Sequence, residues 1–355
     1  MNLSGELNFV DQILRKKSVV FCLGFLLILT FTSLFAYIII PDRSHNANTQ
    51  YLEIALKEPG FKTNFLITNK EDTDQSFLNK LFYGKETSSQ MIPFKSHRIE
   101  GNDVIIRSHF DQEKFIDGGK QNFFSNTTQQ SFYLGTDKFG RDILSRLILG
   151  VRVSLFVGLM SVLISLLIGI TIGSIGGFFG GRTDKLVMYL INIAWSIPTL
   201  LLVFAIVIAF GRGLWIIFLA VGLTLWVDVA RLVRGQVLQI KESEYIEATK
   251  SLSFSPYRVI KSHILPNIIG PILVIAASNF AISILIEAGL SYLGFGIQPP
   301  APSVGNMLNE NYGYAISGKP FLALIPAMTI MLLVLAFNLI GSGLRDILDV
   351  KSVDT

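Results

Sequence analysis

The sequence predicts an all-α membrane protein of six transmembrane helices, one near the N-terminus and five in a core, with a small extracytoplasmic insert of mixed structure. Three observations carry this. The chain of 355 residues is 50% hydrophobic and only 16% charged, with a mean hydropathy of +0.52, whereas soluble domains carry about 25% charged residues. Six runs, near 19–40, 152–177, 186–210, 214–232, 267–290 and 321–343, are long and apolar, and crossing a bilayer takes roughly 20 such residues. Between the first two runs lies a long polar stretch rich in Asn, Gln, Thr and Ser. In lipid an apolar run becomes a helix, because its backbone groups have no water to bond to.

The first run follows Arg15-Lys16-Lys17. A cleaved signal peptide would have an apolar region of roughly 7–15 residues ending in small residues. Val19 to Ile40 is longer, and it closes on Tyr37-Ile38-Ile39-Ile40-Pro41, so it reads as an uncleaved anchor. The single cysteine, Cys22, lies inside it as a small apolar packing residue. One cysteine excludes an intrachain disulfide and a cysteine-based metal site.

Basic residues near span ends favour the cytoplasm. That places both termini inside, 41–150 outside, 178–185 inside, 211–213 outside, 233–266 inside and 291–320 outside. Residues 231–266 hold six basic side chains against three acidic ones, while 41–150 is balanced, fourteen against fourteen. The chain divides accordingly into 1–41, the N-terminus and first span; 42–133, the insert; 134–345, the membrane core; and 346–355, a cytoplasmic tail. In the insert, Arg98 to Arg107 reads as a turn followed by a short strand.

LGTDKFGRDILSRLILGVRVSL, 134–155, is a turn leading into an amphipathic segment. Asp142 either caps that segment or pairs with Arg146 at i,i+4. In span two, Gly169, Gly173, Gly177 and Gly181 recur every four residues. Small residues on one face let membrane helices approach closely, as ordinary packing or as a contact that slides. Pro198 and Pro271 fall in spans three and five and are expected to kink them.

Few charges lie at membrane depth. Glu287 is in span five, and Asp228 and Arg231 are three apart near the inner end of span four. Such residues usually face an interior or a cavity. Glu287 is a candidate for a pathway or a packing site, and Asp228 with Arg231 for an interfacial ion pair. No Gly-x4-Gly-Lys-Ser/Thr, no His-Glu-x-x-His and no Gly-x-Ser-x-Gly occurs. The chain therefore carries no recognisable machinery to hydrolyse a nucleotide by itself.

The longest inward link, 233–266, contains EYIEATKSLSFSPYRVIKSHILPN. Lys241 to Ser253 reads as a helix with Tyr245, Ala248 and Leu252 on one face. Ser253 and Ser255-Pro256 end it, since proline disfavours helix just before itself. A second helical piece, Tyr257 to Ile264, leads to Leu265-Pro266. The first helix either lies on the lipid surface or docks into a groove of another protein. Its narrow apolar face and mixed charge suit a groove better.

Glu247-Ala248-Thr249, Ser253 and His263-Ile264-Leu265-Pro266, at their spacing, resemble the EAA loop of ABC importer permeases. LGTDKFGRDILSRLILGVRVSL, GGFFGG at 176–181, ARLVRGQVL at 230–238, HILPN at 263–267, EAGLSYLGFGIQPPAPSVGNML at 287–308 and FNLIGSGLRDILD at 337–349 resemble one branch. That branch is the C-type permease subunit of dipeptide and oligopeptide importers. The resemblance implies a bacterial inner (plasma) membrane permease, not itself an enzyme and without a cofactor of its own. It implies a heterodimer with a second homologous permease subunit and two cytoplasmic ATP-binding subunits that bind the ATP. It also implies an extracytoplasmic substrate-binding protein that delivers peptides, and no nucleic-acid partner. Tyr245, Glu247, Ala248, Thr249, Leu252, Ser253, Leu265 and Pro266 would form the ATPase-coupling loop, 241–266. Close relatives carry nickel or other small cargo, and an ion-coupled transporter is the reading from another class. The chain departs from the branch pattern at Thr249 (usually Ala), Ser253 (usually Gly), Ser342 (usually Asp) and Val304 (often Trp), and its insert is longer.

Overall fold

The computed structural model describes residues 12, 14–68, 76–85, 91–100, 103–116 and 123–353. Nine α-helices of eight residues or more organise these residues. They are α1 Lys17–Leu34, α2 Ile143–Phe179, α3 Gly181–Trp195, α4 Thr199–Phe210, α5 Leu214–Lys241, α6 Glu244–Ser251, α7 Ile269–Tyr292, α8 Val304–Asn311 and α9 Phe321–Val353. Five helical stretches are long and apolar enough to cross a membrane, or six if the bent pair α3–α4 counts as one span. The chain forms two compact units, one of 1–29, 154–298 and 328–355, the other of 30–153 and 299–327.

The first unit is helix on helix. The glycines of α2 set its closest contact: a Cβ on Gly169 would lie 2.5 Å from Val229 Cβ. On Gly173 it would lie 2.5 Å from the Ala230 carbonyl oxygen, and on Gly177 2.8 Å from Val237 Cβ. The partner residues advance along α5 as the glycines advance along α2, so the two helices run parallel. Gly181 does not join this face, because α2 stops at Phe179 and Gly180 and Gly181 both have positive φ. The backbone turns there before α3 begins.

Two proline expectations come out differently. At Pro198 the chain bends by 83° between α3 and α4, a break rather than a kink. Pro198 lacks the N–H that would continue the ladder of α3, and helix starts again at Thr199. Pro271, by contrast, sits in the first turn of α7, where a missing N–H costs nothing, so it bends no helix. Helix α9 runs on through Val353, so the expected tail from 346 is helical among its described residues.

The second unit holds two antiparallel three-stranded sheets, with strands β1 Phe61–Ile67, β2 Met91–Phe94, β3 Ser96–Glu100, β4 Asp103–Arg107, β5 Glu113–Ile116 and β6 Thr127–Phe132. Their orders are β2-β1-β6 and β3-β4-β5. The strand expected after Arg98 is the β3–β4 pair, whose turn at Gly101-Asn102 lies outside the described residues. Phe65, Leu66, Phe94, Val104, Ile105 and Ile106 are buried, and Phe65 and Leu66, on opposite faces of β1, pack in two different apolar clusters.

The unit reaches past the insert into the 134–146 segment, for an electrostatic reason. The Asp137 carboxylate accepts from the Phe139 and Arg141 amides at 2.8 and 3.0 Å and from Arg141 Nε at 2.6 Å. Arg141 Nη2 donates to Glu310 Oε2 in α8 at 2.6 Å, and Nη1 donates to Asn48 at 3.2 Å. Arg141 and Asp137 are buried, where charges persist only when paired and bonded. Asp142 caps α2 by accepting from the Ser145 amide at 2.9 Å and from its hydroxyl. Of the two roles open to Asp142 it takes the cap, while Arg146 faces Asp137 and Glu310 at 3.9 Å. Burial pushes the Asp142 carboxyl up to about 6 against those Ser145 bonds. Gly140 is required here: its φ is +73°, and a Cβ would meet the Tyr51 carbonyl oxygen at 1.9 Å.

Candidate functional site

The loop between α5 and α7 is built around one short helix. Lys241 belongs to α5, and the chain bends at Glu242-Ser243 before α6 starts at Glu244. The expected single helix from Lys241 is therefore interrupted, with the Ser243 hydroxyl donating to the Ile240 carbonyl at 2.6 Å. Within α6, Ile246 is 0% exposed and Thr249 is buried. Ile246 packs with Val233, Val237, Val259, Ile264 and Ile268. The opposite face carries Tyr245 and Leu252, 47% and 66% exposed, with Glu247 and Ala248 also exposed. The face expected from spacing is thus the outward one, and Ile246 is the anchor beneath it. Spacing alone passes over Ile246, because one apolar residue on a short polar helix makes no period.

Ser253 ends the helix in the left-handed region, φ 57°. The Phe254 amide reaches back to the Thr249 carbonyl at 3.2 Å. That six-residue closure is the pattern in which the residue before the donor is usually glycine. A serine there bears the Cβ–carbonyl crowding that glycine avoids, about 1–2 kcal/mol. Ser253→Gly is expected to raise stability by roughly 0.5–1 kcal/mol after the extra unfolded-chain freedom of glycine is subtracted. Ser253→Val should lower it. Thermal unfolding of the purified protein in detergent reads both.

After the turn, the Ser255 hydroxyl caps the Pro256–Val259 turn through the Arg258 amide at 3.4 Å. A π-helical turn, Ile260–Ile264, and a 3-10 turn, Leu265–Ile268, then absorb Pro266, which has no N–H to give. Leu265 is half-buried and Pro266 exposed. The Phe254 ring stacks with His263 at 5.9 Å, and the Arg258 guanidinium lies over it at 4.2 Å. Asn267 Nδ2 donates to Tyr245 Oη at 3.1 Å and to the His263 carbonyl at 2.6 Å.

The remaining candidates lie elsewhere in the same unit. Glu287 is fully buried and accepts from Ser154 Oγ at 2.8 Å and Ser291 Oγ at 2.9 Å. It is a bonded group joining α2 and α7. The expected Asp228–Arg231 ion pair does not form among the described residues; the Arg231 guanidinium instead lies 3.6 Å from the centre of the Trp195 ring. Trp195 ends α3 just before the break, which turns its ring face toward α5, and a cation over a ring keeps its attraction where water is scarce. The bidentate pair of this region is Arg234 with Asp184, at 2.5 and 2.7 Å. The two are 50 positions apart, so no helical spacing points to the pair. Among the described residues no group of three His, Cys, Asp or Glu side chains is placed to hold a metal.

The arrangement leaves an exposed, half-apolar face on a helix anchored by Ile246. The family described as binding-protein-dependent transport system inner membrane component matches residues 169–352. The oligopeptide transport system permease protein OppC of Bacillus subtilis (strain 168) is 42% identical over 219 residues, 62% of this chain and 72% of that protein. The dipeptide transport system permease protein DppC of the same organism is 42% identical over 219 residues, 62% and 68% of the two chains. The glutathione transport system permease protein GsiD of Pectobacterium atrosepticum is 38% identical over 242 residues, 68% and 79%. A solved structure of the MetNI methionine ABC transporter, inward facing, aligns with 58% of this chain and 97% of that one at 20% identity and a TM-score of 0.48.

Proposed function

The chain belongs to the family of binding-protein-dependent transport system inner membrane components, and from that premise we propose that it docks cytoplasmic ATPases through α6 to drive peptide import. It is a multi-pass inner membrane permease subunit of an ATP-driven importer, and it works with ATPase and binding-protein components. Permeases of this kind are not themselves enzymes. ATP is bound and hydrolysed in two separate partner subunits, and the chain pairs with a second, related permease to form a heterodimer. The termini and the loop 241–266 face the cytoplasm, and the insert 42–133 faces outward from the core, 134–345. The cargo is peptide, a reading supported by relatives named for oligopeptides, dipeptides and glutathione.

One observation carries the docking role. Helix α6 and the turn that follows it hold Tyr245, Glu247, Ala248 and Leu252 outward over a buried Ile246. Exposed apolar side chains held on a rigid element are what a groove in a partner needs. A cross-link tests it. With Cys22, the single native cysteine, changed to Ser, Ala248→Cys is expected to cross-link to the ATPase subunit in assembled transporter. Absence of that product would overturn the docking role. The same product fixes the orientation, because an ATPase in the cytoplasm reaches Ala248 only if the loop lies on that side.

A further inference from the structure

We propose that Asn267 is the positioning residue that transmits movement of α6 to the foot of α7, an inference that rests on α6 being the docking element. Besides the apolar packing of Ile246, two routes join these helices. Along the backbone, Tyr245 and Asn267 are 22 residues apart. That path runs through a left-handed turn at Ser253, a π-helical turn and a 3-10 turn. Segments of this kind absorb displacement rather than pass it on, since π and 3-10 turns mark hinges inside helical structure.

The second route is through side chains and is short. One amide nitrogen, Asn267 Nδ2, bonds to Tyr245 Oη at 3.1 Å and to the His263 carbonyl at 2.6 Å. The first acceptor lies in the opening turn of α6, the second in the turn that precedes α7. Asparagine suits the position because its NH2 carries two donors. In a regular helix the His263 carbonyl would take the Asn267 amide N–H; here the side chain bonds to that carbonyl.

Two further contacts back the bridge. On the inner side, Ile246 packs in one cluster with Ile264 and Ile268. Across the loop, Phe254 stacks with His263 and contacts the Arg258 guanidinium. Tyr245 therefore has two ends with different work: its ring lies on the outward face of α6, and its hydroxyl is tied to the base of the next span. A push on α6 reaches α7 through that hydroxyl.

The test uses complete transporter in liposomes and reads peptide moved per ATP hydrolysed. Asn267→Ala and Tyr245→Phe should each lower the ratio by roughly five-fold, the scale of one net hydrogen bond. The double variant should be no worse than the poorer single one, because both remove the same bond. Asn267→Asp should recover part of the loss, since the Tyr245 hydroxyl donates to a carboxylate. An unchanged ratio in either single variant, or losses that multiply in the double, would overturn the proposal. The Ala248→Cys cross-link separates the two readings. Its absence from otherwise native chain overturns docking itself. Its loss only in the Asn267 and Tyr245 variants also overturns transmission, since the bond would then serve to hold the docking face.

Discussion

Ala248→Trp abolishes peptide uptake while the protein reaches the membrane at its normal level. Ala248 is exposed on α6, between Tyr245 and Leu252 on the outward face. Because Ala248 is exposed, a large ring there need not enter the core, so the fold of the isolated chain has little reason to change. A partner groove shaped for a methyl group does not close over an indole. Clashes and losses at the centre of an interface cost about 2 kcal/mol or more, roughly 30-fold in affinity. Glu247→Ala on the neighbouring exposed position should act in the same direction and less severely. Uptake, membrane abundance and co-purification of the ATPase read the three parts of this result. Normal uptake in both variants would remove the coupling role from the loop.

Gly173→Val should have the largest effect on the fold. A Cβ at Gly173 would stand 2.5 Å from the Ala230 carbonyl oxygen, 3.0 Å from Val233 Cβ and 3.1 Å from Ala230 Cα. Two of these three atoms are backbone, so no rotamer change relieves them, and α2 and α5 must move apart. Overpacking of this kind costs about 1–3 kcal/mol and sometimes more. Separation also opens the contacts at Gly169 and Gly177, which lie on the same line. Gly235 in α5 is the control, because a Cβ there meets nothing within 4 Å. Gly235→Ala should leave the fold intact. The yield of monodisperse protein in detergent and its thermal midpoint distinguish the two, and a Gly173→Val midpoint equal to that of Gly235→Ala would contradict the close-packing account.

The features legible in the sequence are those with a local period or a local rule. The membrane spans follow from length and apolarity. The Gly169, Gly173 and Gly177 face follows from a four-residue repeat, and its partner helix does not, because nothing local names Val229, Ala230 and Val237. The outward face of α6 follows from Tyr245, Ala248 and Leu252, while the bend at Glu242-Ser243 is hidden, since both residues are compatible with helix. Pro198 and Pro271 look alike as letters; one breaks a span by 83° and the other sits harmlessly in a first turn. What separates them is where the helix begins, and that is set by the Leu265–Ile268 turn just upstream. Asp228 and Arg231 have ideal spacing and still do not pair, because Trp195, brought in from another helix, offers Arg231 a ring face. Ser253 stands where the resembling pattern has glycine, and its φ of 57° supplies the physical reason for that pattern.

On the proposed docking through α6, this chain borrows its energy: it forms the path and takes its driving force from its partners. The direct measurement is labelled-peptide uptake into liposomes by the purified chain, first alone and then with a second permease, the ATPases, binding protein and ATP. No uptake is expected by the chain alone under any ion gradient, and ATP-dependent uptake by the full set. Gradient-driven uptake by the chain alone would contradict it.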